Sequence, residues 1–143
     1  MSIVKRIIQT FIMPKKKLNG YRNNTGFLVP ISLKNDIPFK SKRVFIIHGK
    51  KNSFRGDHAH RKCSQFLIPL GGSMIVEYEN TKGKFKKILS FNINNYLLLK
   101  PMTWCKIKFN TNDSKLMVFC DREYEFSDYI EKHIEFLNKI KKK

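Results

Sequence analysis

A chain of 143 residues, 41% apolar and 13% aromatic, can close one hydrophobic core, which excludes wholesale disorder and predicts a single domain over 1–143. No apolar run reaches the ~18 residues that cross a bilayer, the start lacks signal-peptide order, and three cysteines without a CxxC pair read as thiols of a reducing compartment. A cytoplasmic protein without a membrane partner is therefore expected, and although its net charge of +18 raises nucleic acid as a partner, lysine supplies most of the 29 basic residues, so solvated surface or attraction for a small anion is the simpler account.

In chain order, residues 1–20 read as an N-terminal arm in which Ile3, Ile7, Ile8 and Phe11 fit either a strand or a short helix. Segments rich in β-branched and aromatic residues then recur at 27–32, 43–48, 65–70, 73–79, 85–91, 96–99, 104–109 and 116–120. Turn residues separate them, among them Gly49, Gly71, Gly72, Gly83, Pro101, Asn112 and Asp113. Short strands at this spacing predict an all-β barrel or sandwich. The period changes in the tail. Phe126, Tyr129, Ile130, His133, Ile134, Leu137 and Ile140 form a stripe that predicts a helix over 125–140, packed on the strands and capped by Asp121 or Ser127.

Chemistry concentrates between Arg55 and Gly72. His58 and His60 are two apart, so on a strand both rings point to one face and meet one cavity. An isolated HxH is common, and each ring alone reads equally well as an ordinary core or surface histidine. Arg55 and Lys62 flank the pair and suit an anion such as a diphosphate, or simply solvated charge.

The run resembles the first motif of the cupin superfamily: HxH, four residues, an acidic ligand, six residues, Gly. Gly72 stands in place, but Gln65 occupies the acidic position. The second cupin motif falls around Pro101 and puts Lys106 where a ligating histidine belongs. Two imidazoles, an amide and an ammonium make a poor divalent site, so no tightly bound metal is expected. The imidazoles then stay free for proton chemistry near their ordinary pKa of about 6.5.

A closer resemblance runs over about residues 23–136 and rests on Asp36-Ile37-Pro38-Phe39, Lys42-Arg43-Val44-Phe45, Arg55-Gly56-Asp57-His58-Ala59-His60-Arg61-Lys62, Gln65-Phe66-Leu67, Pro101-Met102-Thr103-Trp104 and Tyr124 to Ile130. In these segments the chain is similar to the dTDP-sugar 3,4-ketoisomerases. The resemblance implies a cupin-type antiparallel β-barrel (jelly roll) with a C-terminal helix, free of metal and redox cofactor, in homodimers that exchange N-terminal strands. It implies dTDP-4-dehydro-6-deoxyglucose as substrate, with His58 as main acid/base and His60 as its partner. A C3 proton leaves, an enediol forms, and reprotonation at C4 leaves the ketone at C3, ready for an aminotransferase. Arg55 and Arg43 are expected near the nucleotide-sugar and Trp104 in the pocket wall, with Lys62 and Gln65 as further binding residues. The chain departs from the family at Thr25, where many members have Arg or Tyr, and at Phe45, where many have Tyr. Both positions are expected near the sugar. These departures keep a second reading open, a sugar-nucleotide-binding cupin with weakened catalysis. A third reading, a nucleic-acid binder, lacks any RNP, zinc-finger or helix-turn-helix pattern.

Overall fold

The computed structural model describes residues 18, 20–91 and 95–142, so the expectations for Ile3, Ile7, Ile8 and Phe11 lie outside the described residues. In chain order the strands are β1 (Tyr21–Asn23), β2 (Gly26–Leu28), β3 (Arg43–Gly49), β4 (Phe54–His60), β5 (Gln65–Gly71), β6 (Ser73–Asn80), β7 (Gly83–Ser90), β8 (Leu97–Leu99), β9 (Trp104–Phe109), β10 (Ser114–Cys120) and β11 (Tyr129–Ile130), followed by helix α1 (His133–Lys141). A four-stranded sheet runs β3-β10-β5-β8 and a five-stranded sheet runs β11-β4-β9-β6-β7, with antiparallel neighbours throughout. The two face each other as a jelly-roll sandwich and do not close into one continuous barrel. β1 and β2 form a separate hairpin.

Alternation explains the core. Inward residues of both sheets, among them Leu67, Met74, Val76, Leu89, Ile107, Phe109, Leu116 and Val118, pack into one buried cluster. Gly72 links β5 to β6 with φ +65°, and a Cβ there would lie 2.7 Å from Ser114 backbone. The glycine of the cupin-like motif thus answers to a turn pressed against its neighbour, a position closed to any side chain. A second cluster, with Leu18, Ile37, Phe66, Ile68 and Phe119, forms where the irregular segment after β2 covers the outer face of the four-stranded sheet.

Four sequence expectations are corrected. The predicted strand at 27–32 shrinks to Gly26–Leu28, because the chain beyond it serves as that cover. The strand Phe54–His60 was not among the predicted segments, since Arg, Gly and Asp interrupt its apolar pattern. The helix predicted over 125–140 begins only at His133. Before it come one 3₁₀ turn, Phe126–Asp128, and β11, whose Tyr129 and Ile130 pair with His60 and Ala59 of β4. Sheet pairing overrides the helical period there. The helical phase changes accordingly: Phe136 is fully buried against Ala59, Trp104 and Ile130, whereas Phe126 and Ile134 are exposed. Neither Asp121 nor Ser127 caps α1. Lys132 stands at its N-cap, and the Asp121 carboxylate accepts from the Ser64 N–H instead.

Candidate active site

β4 places the histidines by way of an irregularity. Arg55 pairs with Ile107, Gly56 with Lys106 and His58 with Cys105, so Asp57 is one residue extra, a β-bulge. Gly56 (φ +84°) and Asp57 (φ +62°) make the bulge, and a Cβ on Gly56 would lie 2.8 Å from the Cys105 carbonyl oxygen. In a regular strand Arg55 and His58, three apart, would face opposite sides. The extra residue restores them to the same side, with His60 beyond. The Trp104 indole N–H donates to Asp57 Oδ1 at 3.2 Å and ties the bulge to β9.

The cavity so formed has a volume of about 540 Å³ and lies between the two sheets. Arg55, His58, His60, Gln65 and Phe45 line it, as do Cys63, Lys100 and Tyr129. The His58 and His60 ring centroids are 5.0 Å apart, and the Tyr129 ring sits 4.8 Å from the first and 4.4 Å from the second. Burial lowers the pKa of both imidazoles. For His58 a hydrogen bond with the Gly56 backbone opposes that shift in part, and for His60 the Asp128 carboxylate does so. Both rings are therefore neutral near pH 7 and able to accept a proton. Burial raises the Tyr129 phenol, with Arg43 pulling the other way.

Asp128 is the main addition to the sequence reading. It is buried, and its Oδ2 lies in hydrogen-bond contact with His60 Nδ1 at 3.0 Å. The Lys62 N–H donates to Oδ1 at 2.7 Å and the Cys63 N–H to Oδ2 at 3.3 Å. The segment holding Asp128 and Tyr129 belongs to the sequence resemblance, which gives neither side chain a role in the site. No local pattern shows that Asp128 reaches back 68 positions to His60.

Four expected binding residues do not line this cavity. Trp104 is buried beneath α1, on the far face of β9, and borders a second cleft with Glu79 and His133. The Lys62 side chain is exposed past the end of β4. Thr25 is exposed at the tip of the β1–β2 hairpin, bonded to Asn23. Arg43 stands behind the wall, its Nη2 donating to Cys120 Sγ at 3.5 Å. A hydrogen bond from Cys63 and the Arg43 guanidinium bring the Cys120 thiol down to about 6, while Cys63 is pushed up and keeps its proton.

The residues present do not fit a cupin metal centre. Lys106 pairs with outward-facing Gly56, carries its ammonium over the Phe54 ring, and is absent from the cavity lining, where Gln65 supplies only an amide. His60, Cys63 and Asp128 offer ligand atoms within 4.8 Å of one another, but Asp128 is already filled by three N–H donors and Cys63 holds its proton.

Comparison with known proteins shows the family and the fold. The family model FdtA, described as "WxcM-like, C-terminal", matches residues 13–141. A TDP-4-oxo-6-deoxy-alpha-D-glucose-3,4-oxoisomerase from Aneurinibacillus thermoaerophilus is 31% identical over 122 residues, covering 84% of this chain and 86% of that protein. Among solved structures, the sugar 3,4-ketoisomerase QdtA from Thermoanaerobacterium thermosaccharolyticum, in complex with TDP, is 30% identical with a TM-score of 0.80, covering 88% of this chain and 92% of its own. A His-to-Asn variant of that enzyme, in complex with TDP-4-keto-6-deoxyglucose, superposes with a TM-score of 0.81 at 29% identity, over 89% of this chain and 92% of its own.

Proposed function

The chain belongs to the FdtA-like family of TDP-sugar 3,4-ketoisomerases, and we propose that it converts dTDP-4-dehydro-6-deoxyglucose into a dTDP-3-dehydro-6-deoxyhexose. The observation that carries this reading is the pair of neutral imidazoles facing one cavity beside a guanidinium. The cavity volume suits a small-molecule ligand. Arg55 and Lys100 receive the diphosphate, and Gln65 and Phe45 shape the wall around the sugar.

His58 removes the C3 proton of the 4-keto sugar, and the charge spreads onto O4 as the enediol forms. Return of a proton to C4, with loss of the O3 proton, leaves the ketone at C3. Hydrogen moves only as a proton, so the step calls for no redox cofactor and no metal. His60 is the second proton carrier. Arg43 acts from behind through Cys120, and Trp104 acts through the bulge. The product is a ketone suited to amination by an aminotransferase.

The working form is a homodimer. β3 is an edge strand, with Val44 47% and Ile46 60% exposed beside it, and the hairpin is exposed at Tyr21 and Leu28. Thr25 and Lys62 would reach the substrate only in that assembly. No helix among the described residues is long and apolar enough to cross a membrane, and three free cysteines suit the reducing cytoplasm.

The test is incubation with dTDP-4-dehydro-6-deoxyglucose in deuterated water, followed by NMR. A 3-keto product deuterated at C4 is expected from the wild type and none from His58→Asn, which should still fold and bind dTDP. Binding of dTDP by the wild type with neither product nor exchange would leave the weakened cupin and overturn the isomerase.

A further inference from the structure

The two histidines are not equivalent. Electrostatically, His58 is supported chiefly by a backbone hydrogen bond at Gly56, whereas His60 is held by a carboxylate. His60 is 6% exposed and Asp128 7%. Burial alone would raise the Asp128 pKa, but the Lys62 and Cys63 N–H groups and His60 outweigh it, and the carboxyl stays below the usual range. An ionised carboxylate can only accept, so the proton of the neutral His60 ring must sit on Nδ1. Nε2 is then left as a bare acceptor. It is buried with no hydrogen-bond partner among the described residues, in a ring that lines the cavity.

We propose that Asp128 is a positioning residue of the isomerisation: it fixes His60 in the Nδ1–H form, presents Nε2 to the substrate, and steadies the imidazolium formed when Nε2 takes a proton. The proposal rests on the ketoisomerase reading. The step balances within the active site. The O3 proton passes to Nε2, the ring becomes cationic beside an unchanged carboxylate, and Nε2 hands that proton to O4, while C4 takes its proton from His58 after exchange with solvent and the ketone is left at C3. Without Asp128 the cation would form in a buried pocket with no opposite charge bonded to it.

Two measurements test the dyad. The chain has only four histidines, so ¹⁵N-histidine labelling with long-range ¹H–¹⁵N correlation resolves each ring without substrate. His60 is expected as the Nδ1–H tautomer near pH 7.5 in the wild type, mixed with the Nε2–H form in Asp128→Asn. With dTDP-4-dehydro-6-deoxyglucose, Asp128→Asn should lose about 10²-fold or more in kcat while KM stays within about threefold. The acid limb of its kcat profile should move to lower pH, because the charge that favours the imidazolium is gone. A purely structural role would leave that limb in place. A wild-type His60 protonated on Nε2 overturns the proposal, as does a folded Asp128→Asn with wild-type kcat and an unmoved limb. Where the variant does not fold, the wild-type tautomer decides. A wild type that shows the Nδ1–H tautomer but no isomerisation sinks the ketoisomerase reading and leaves the dyad standing.

Discussion

The Gly56-Asp57 bulge decides which side chains meet. A single extra residue turns a strand that would split Arg55 from His58 into one that gathers them. Gly56→Ala must place a Cβ against the Cys105 carbonyl at positive φ, so it should cost about 2 kcal/mol or more and swing His58 out of the cavity. Chemical denaturation reads the first effect, and loss of isomerisation out of proportion to loss of stability reads the second. The imidazoles set the pH response. Their folded pKa values lie below the 6.5 of free histidine, so the unfolded chain binds more protons as pH falls through that value. Stability is therefore fully present above pH 6.5 and declines beneath it, toward the lower folded values. The acid limb of kcat/KM, which reports the free protein, should likewise lie beneath pH 6.5, which a kcat/KM profile and urea midpoints taken from pH 8 to 5 will check.

β11 and α1 work as a clasp on β4. β11 brings Asp128 and Tyr129 to His60 and extends only two residues. α1 holds it there through Phe136 and through Arg61, whose guanidinium bonds both the Tyr129 carbonyl and Glu135 at 2.8 Å. Phe136→Ala should cost about 3–5 kcal/mol in thermal or denaturant unfolding and lower kcat even below the melting range. This clasp marks the limit of what the sequence discloses. Alternation revealed most strands of the sandwich, because each has one buried face. HxH with a flanking Arg exposed the chemistry, because both lie within one stretch. The clasp joins positions 68 apart through two residues of strand, too few to carry a period, and its Tyr and Ile happened to extend a helical stripe that does not form. The bulge was equally hidden, since Gly-Asp reads as a turn.

For the molecule as a whole, the net charge of +18 is spread along the chain, and the exposed apolar side chains include Val44 and Ile46 on edge strand β3 and Tyr21 and Leu28 on the hairpin. At 0.15 M salt, charges more than about 8 Å apart are largely screened, so like charge does not prevent a second copy from covering that face. Sedimentation should return twice the 17.0 kDa chain mass for the wild type and a shift toward one chain for Ile46→Lys. A monomeric wild type would refute the homodimer. The outer lysines of β7 and β9 are partly neutralised by Glu77 and Glu79 on β6, so this surface is weaker as a nucleic-acid track than the total charge implies.

The clasp also fixes when the enzyme becomes competent. The strands of the four-stranded sheet and all but one of the five-stranded sheet are complete by Cys120, yet the carboxylate and phenol beside His60 arrive only at Asp128 and Tyr129. A nascent chain that has released everything up to Cys120 from the ribosome can pair both sheets and still have an unfinished catalytic centre. On the proposed mechanism, proton transfer thus waits until the chain has emerged past Tyr129, and clipping ahead of Asp128 is expected to abolish turnover.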